Sequence, residues 1–220
     1  MTAIGVFGGT FAPIHNGHLR LALELRERLR LERVHLIPAG EPPHRDRPRV
    51  PARRRLDWVR LACAGEPGLV ADACEVERGG RSYTVDTLSS LRRAHPETSL
   101  VLLLGDDAAN HFHTWHRWRE IPGLAHLVFA ERPYEPAAPE PELQTMMRAR
   151  RAGRADALHA RPAGLLMSTH LPPLAISSAR VRGLLAARRS VRGLVPQAVI
   201  DAFTPEDRET LTHDEDPATD

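Results

Sequence analysis

Lysine is absent from the 220-residue chain, and all 30 fixed cationic side chains are arginine. This excludes a mechanism built on a neutral lysine base or a lysine Schiff base. Any clamp on an anion must come from Arg, His, backbone N–H groups or a metal, and Arg suits planar, multi-donor contact with phosphate oxygens. Cysteine is nearly absent too. Cys63 and Cys74 form neither a disulfide framework nor a metal-ligand spacing, and they read as small buried apolar residues. No apolar run approaches the length of a membrane span, and no basic-then-apolar leader precedes the first strand. Together these predict a cytoplasmic protein with no membrane partner. A formal net charge of +2 leaves no polycation for nucleic acid. The 42% hydrophobic content is enough for one good-sized core.

What is present is concentrated at the start. Ile4 to Phe7 read as a short buried strand, and GGTFAPIHNGH follows from Gly8 to His18. Gly8 and Gly9 let the backbone turn and let a ligand approach without a Cβ in the way. From about Gly17 the period changes, with leucines from Leu19 to Leu29 among charged residues, which suits an amphipathic helix. His15 and His18 therefore flank a helix start, where free N–H groups and the macrodipole favour an anion. Three residues apart, they project to one side and can donate to phosphate oxygens, and histidine can carry charge near neutral pH. Alone, H-x-G-H is also compatible with a turn holding incidental histidines.

Strand-like and helical stretches then alternate. Val34 to Pro38, Leu69 to Ala73, Ser99 to Leu104 and His126 to Ala130 read as strands. Ala52 to Ala64 and Thr84 to Ala94 read as helices, the second capped by Ser82 or Thr84. The alternation predicts an α/β fold: a Rossmann-like, doubly wound, mostly parallel sheet with helices on both faces, in a single domain. Ligands of such sheets sit at the carboxyl ends of strands, where Gly8, Pro38, Gly105 and Arg132 fall. Arg132 to Pro141 reads as a loop, Leu143 to Ala157 as an Arg-rich surface helix, and 204–220 as an acidic tail disordered at its end. His111 and His113 alternate without a Cys or HExxH pattern and read as a solvated or substrate-lining face rather than a zinc site.

Six segments in order resemble the H-x-G-H nucleotidylyltransferase superfamily, and within it the nicotinate-nucleotide adenylyltransferases. GGTFAPIHNGH resembles their GGTFDPIHxGH. EPPHR (Glu41 to Arg45), SYTVDTL (Ser82 to Leu88), GDDAANHFHTWHRWREI (Gly105 to Ile121), AHLVFAERP (Ala125 to Pro133) and ISSARVR (Ile176 to Arg182) resemble the later motifs. Two positions depart: Ala12 stands for the usual Asp and Ala179 for the usual Thr. The resemblance implies a nucleotidylyltransferase domain over 1–203 that transfers the adenylyl group of ATP to nicotinate mononucleotide in NAD biosynthesis, giving deamido-NAD and pyrophosphate. ATP and nicotinate mononucleotide are then the partners, and a homo-oligomer is neither required nor excluded. Mg²⁺ would ride on the ATP oxygens, with no metal held by the protein. His18, assisted by His15, would stabilise charge developing on the ATP phosphates. Gly8, Gly9, Thr10 and Phe11 would supply backbone lining, Gly105 and Asp107 would meet the nucleotide, and Ser177, Ser178 and Arg182 would form a second phosphate site. Trp115 would stack on the pyridine ring. Thr84 and the backbone near His116 would hold its carboxylate, and His44 and Arg45 would approach the mononucleotide phosphate. Plainer readings stand beside these: helix caps for Asp107 and for the adjacent Asp106, an N-cap with a solvated arginine at Ser177–Arg182, and a surface loop at His44.

Overall fold

The structure, a computed structural model, describes residues 1–42, 50–105, 111–131, 140–172 and 174–212. The first apolar run forms β1 (Ala3–Gly9), buried from Ala3 to Phe7. With β2 (Arg33–Pro38), β3 (Leu69–Ala71), β4 (Ser99–Gly105), β5 (His126–Glu131) and β6 (Leu166–His170) it makes an all-parallel sheet in the order β3-β2-β1-β4-β5-β6. Ala3 lies opposite Ser99, Leu102 opposite Leu127, and Leu127 opposite Leu166. β4 is buried without interruption from Ser99 to Leu104, the pattern of a strand covered on both faces. The order reverses direction between β1 and β4, and doubly wound sheets collect ligands beyond the carboxyl ends of strands at such a switch point. Those ends are Gly9 and Gly105.

The described helices are α1 (Asn16–Leu29), α2 (Ala52–Cys63), α3 (Cys74–Arg78), α4 (Thr84–Ala94), α5 (Ile121–Leu124), α6 (Pro141–Ala149), α7 (Ser178–Ala186), α8 (Gln197–Asp201) and α9 (Pro205–Thr212). None is long and apolar enough to cross a membrane. The chain divides into two compact units. The first comprises Met1–Gly8, Leu21–His35 and Tyr83–Pro173. Its buried side chains include Val6, Leu25, Leu29, Val85, Leu88, Phe112 and Trp118, together with Leu100 to Leu104 of β4 and Leu127 to Ala130 of β5. Arg92 on α4 donates to the carbonyls of His95, Pro96, Thr98, Leu124 and Pro162, so one guanidinium ties together the loop after α4, the end of α5 and Pro162. His126 is fully buried, with Nε2 at 2.9 Å from the Arg161 carbonyl and Nδ1 accepting from Leu165 N. Burial holds its pKa below the usual histidine value.

The second unit comprises Gly9–Arg20, Leu36–Ser82 and Leu174–Asp220. Phe11, Ile14, Leu36, Ile37, Trp58, Val59, Val181, Val199 and Leu211 are buried in it. Trp58 meets Phe203 edge to face at 5.0 Å. Arg54 grips Asp207 through Nε at 3.0 Å and Nη2 at 2.6 Å, a two-pronged carboxylate contact. Thr204 Oγ1 accepts from Asp207 N, and Asp207 Oδ2 accepts from Thr204 N, a reciprocal cap on α9. Asp207 therefore has its pKa below the usual aspartate value, held there against its own burial by Arg54 and Thr204. Asp207→Ala removes both the ion pair and the cap. It should cost about 2 kcal/mol at neutral pH, lowering Tm by roughly 4–8 °C for a chain of this size. The contribution is present above the ordinary aspartate pKa and fades as pH falls below it. Thermal unfolding of the variant at pH 7 and pH 3.5 checks this: a deficit equally large at both values would refute the ionic part.

Several elements differ from the sequence reading. The acidic stretch from 204, expected as a tail, begins as a packed helix, α9, with Leu211 buried; its end at 213–220, to which the expected disorder applied, lies outside the described residues. The single helix expected over Leu143–Ala157 stops at Ala149, because Arg150 and Ala152 turn to hydrogen-bond Leu166 of β6; a separate 3-10 turn covers Ala155–His159. β3 ends at Ala71, and Asp72 Oδ1 then accepts from Cys74 N and opens α3. The cap expected on α4 is absent: Tyr83 occupies that position without a side-chain bond, and Ser82 Oγ is used by Gly40 N at 2.8 Å.

Candidate active site

β1 runs into a loop with little room for variation. A Cβ on Gly9 would stand 2.8 Å from Phe11 Cε1. Phe11 has φ 51°, a left-handed conformation that costs a non-glycine residue energy, and its ring is buried. That ring meets the His18 imidazole edge-on, with centroids 4.9 Å apart. The Ala12–Pro13 peptide is cis, and Ala12 and Ile14 are buried. Gly8 is exposed, whereas Gly9 and Thr10 are half-buried.

His15 and His18 stack face to face, with centroids 3.6 Å apart and planes 17° apart. His18 Nδ1 accepts from His15 N, and His15 Nδ1 accepts from His18 N, each at 3.3 Å. A nitrogen that accepts cannot carry the proton, so both neutral rings hold it on Nε2, which remains a donor. Gly17 permits this arrangement, since a Cβ there would lie 3.0 Å from His15 Nδ1. Asn16 anchors the turn from behind, its N donating to Leu194 O and its side chain to Gly193 O, both at 2.8 Å.

The charge expected on these histidines near neutral pH is not what the free site favours. Burial lowers His15 from 6.5 to about 4. Burial, and then repulsion from His15, holds His18 well below 6.5. In the free protein at pH 7 both are neutral Nε2–H donors. Between about pH 6.5 and 4 the unfolded chain takes up a proton at His15 that the folded chain refuses, so stability falls as pH falls through that window. The urea midpoint should therefore be lower at pH 5 than at pH 7.5, with a smaller gap in His15→Gln. A gap of the same size in that variant would refute the assignment.

α7 begins beside this loop. Ser177 is its N-cap and accepts from Arg180 N at 3.1 Å. Ser178 Oγ donates to Pro13 O and Arg182 Nη1 to Ala12 O, each at 3.1 Å. Arg182 Nε is buried without a hydrogen-bond partner. Ala12 thus contributes its carbonyl, and this anchoring of the loop by Arg182 requires no carboxylate at position 12. The second unit thereby brings Gly9, Thr10, Phe11, His15, His18, Ser177, Ser178 and Arg182 into one neighbourhood.

In the first unit, half-buried Gly105 ends β4. Half-buried Thr84 opens α4, and the ring of the preceding Tyr83 lies 4.4 Å from that of exposed His116. Half-buried Trp115 leans on Phe112 at 5.5 Å. Trp118 is buried against the same Phe112 at 5.8 Å, as expected of a core tryptophan. His111 is exposed and His113 half-buried. His44, Arg45, Asp106, Asp107 and Arg132 lie outside the described residues. Tyr83, Asn16, Gly17 and Arg55 were not anticipated. The spacing between the histidines was the available sign for Gly17. Arg55 had one as well, since it shares a helical face with Val59 and Ala62, both buried.

A parallel sheet in this order, with H-x-G-H where β1 hands over to α1, defines a Rossmann-like nucleotide-handling enzyme class. The model of the cytidylyltransferase-like family matches residues 6–184. A Marinobacter nauticus protein named "Probable nicotinate-nucleotide adenylyltransferase" is 47% identical over 199 residues, covering 90% of this chain and 92% of its own. An Acidithiobacillus ferrooxidans protein of the same name is 46% identical over 197 residues, covering 89% and 90%. The Plasmodium falciparum nicotinic acid mononucleotide adenylyltransferase complexed with NaAD has the same fold, with TM-score 0.66 at 14% identity over 91% of this chain and 94% of that one. The chain belongs to the cytidylyltransferase-like family and, within it, to the nicotinate-nucleotide adenylyltransferases.

Proposed function

We propose that the protein joins the phosphate of nicotinate mononucleotide to the α-phosphorus of ATP, releasing pyrophosphate and giving nicotinate adenine dinucleotide. One observation carries this reading: two stacked imidazoles, each turning Nδ1 to a backbone N–H of the same turn and so carrying its proton on Nε2. A phosphate oxygen of the acceptor forms the new P–O bond while the bond to the β-phosphate bridging oxygen breaks. Negative charge grows on the departing pyrophosphate. Donors already fixed in place stabilise that charge without reorganising, and holding both reactants supplies the rest, as phosphoryl transfer needs no covalent enzyme intermediate.

In this reading His18 donates to the ATP phosphates with His15 beside it, and the backbone from Gly8 to Phe11 lines them. Ser177 and Arg182 add side-chain donors, while the Ser178 hydroxyl is spent on Pro13 O and holds the loop, and the partnerless Arg182 Nε is one that an anion could satisfy. Gly105 and Asp107 face the nucleotide. Trp115 presents a flat ring to the pyridine, Thr84 and His116 approach its carboxylate, and His44 and Arg45 approach the acceptor phosphate. Among the described residues no three His, Cys, Asp or Glu side chains could hold a metal ion. The neutral imidazoles, hydroxyls and cations of the loop do not suit Mg²⁺, which prefers oxygen anions. Mg²⁺ therefore enters as part of the ATP substrate, bound to its phosphate oxygens.

The test is pyrophosphate release from MgATP with nicotinate or nicotinamide mononucleotide. The acid form should be clearly preferred. Preference for the amide would move the protein to the sister activity, and binding of ATP without turnover on either would refute the reading.

A further inference from the structure

The guanidinium of Arg55 is buried, the residue being 1% exposed, yet its hydrogen bonds all go to backbone carbonyls. Nη1 donates to Thr10 O at 2.6 Å. Nη2 donates to Ala39 O at 2.6 Å and to Gly40 O at 3.0 Å. Nε donates to Val50 O at 3.2 Å. These acceptors are not scattered. Thr10 belongs to the loop after β1 that leads to His15 and His18. Ala39 and Gly40 follow β2, and Val50 precedes α2, so together they bracket the segment carrying His44 and Arg45. We propose that Arg55 is the positioning residue that locks onto α2 the loop leading to His15 and His18 together with Gly40 and Val50, the described residues that flank the segment carrying His44 and Arg45, so that one side chain sets the backbone from which the phosphates of both substrates are met. The inference rests on the function proposed above, in which the His15–His18 loop meets ATP and His44 and Arg45 are assigned to the acceptor phosphate.

Three physical points support a positioning role. A planar fork with five N–H donors can hold carbonyls from three segments at fixed mutual angles, and no other side chain can. In a trans peptide the C=O and N–H point opposite ways, so capturing the Thr10 carbonyl turns the Phe11 N–H away from the guanidinium. Neighbouring contacts leave the loops little other choice: Ala39 N donates to Gly9 O at 2.9 Å, Gly40 N donates to Ser82 Oγ at 2.8 Å, and a Cβ on Gly40 would stand 2.9 Å from the Glu75 carbonyl. Burial lowers Arg55 to about 10, which still leaves it charged at neutral pH.

Arg55→Lys keeps the charge and loses the fork. It should fold, and it should raise KM for both MgATP and nicotinate mononucleotide by roughly 10-fold or more while lowering kcat, because displacement of the order of 1 Å costs about 10²-fold in rate. Val59→Ala is the control: it cuts a cavity in the same helix without touching the four carbonyls. If Val59→Ala matches the loss of Tm and both KM values stay at wild type, the shifts in Arg55→Lys report position, and Arg55→Met should be at least as impaired. Unchanged KM values in folded Arg55→Lys would overturn the proposal. So would equal shifts in Val59→Ala. Wild-type turnover is measured first. If it is absent, the proposed reaction fails by itself, and the Kd for MgATP by titration calorimetry becomes the readout for Arg55, with a value unchanged in Arg55→Lys again overturning its role.

Discussion

His18→Ala lowers kcat by about 10²–10³-fold with both KM values near wild type. That is the scale on which losing one donor to a developing oxyanion registers. The fold should persist, since the substitution removes a half-buried ring and leaves Leu19, Ala22 and Leu25 of α1 in place. One side effect needs separating: His15 N loses its acceptor when His18 Nδ1 goes. His18→Asn resolves this, because its side-chain oxygen can stand in for Nδ1 and nothing replaces Nε2. The Asn variant should regain thermal stability and stay as slow as the Ala variant. Recovery of the rate in His18→Asn, or full rate in folded His18→Ala, would mean that Nε2–H is not the group that matters.

Gly9→Ala is the second large effect, expected at roughly 10–10²-fold in kcat/KM. The added methyl meets the Phe11 ring at 2.8 Å, and that ring abuts His18. A buried ring in a left-handed residue has few places to go, so the push is passed to the imidazole. Gly183→Ala is the contrast. It sits in α7 with nothing within 4 Å of its Cβ, and an alanine in a helix is worth about 0.5–1 kcal/mol over glycine. Gly183→Ala should be fully active and slightly more stable. If Gly9→Ala behaved the same way, the tight packing under the loop would be without consequence.

These two glycines also mark how far the residues alone could be read. Apolar runs identified β1, β2, β4 and β5, and the 3.6 period identified α2 and α4, to within a residue or two, because burial on both faces or on one helical stripe is printed in the chain. β6 escaped, since Leu-Met-Ser-Thr-His buries only Leu166, alternates half-buried with exposed positions beyond it at a sheet edge, and has no apolar run. α9 was obscured by composition. Its sign was local, Thr204 and Asp207 three apart with Pro205 between them, while the surrounding acids suggested disorder. At the site, the histidines were legible from spacing, but their neutrality was not, because burial is a property of the assembled loop. Arg55 was overlooked for the opposite reason: one charge in a run of three arginines reads as solvated, although its spacing to Val59 and Ala62 places it on the buried face of α2.

The pairs that close the histidine loop have a further consequence. Ser178 reaches Pro13 across 165 positions of chain, Arg182 reaches Ala12 across 170, and Asn16 reaches Gly193 across 177. Contacts between residues so distant along the chain form only after the entropy of closing a very long loop has been met. On the ribosome, Gly9 and Thr10 can be held early by Ala39 and Arg55, whereas Ala12, Pro13 and Asn16 wait for nearly the last residues described. A nascent chain cut short before Ser178 would carry every residue of H-x-G-H and none of the contacts that α7 makes with it.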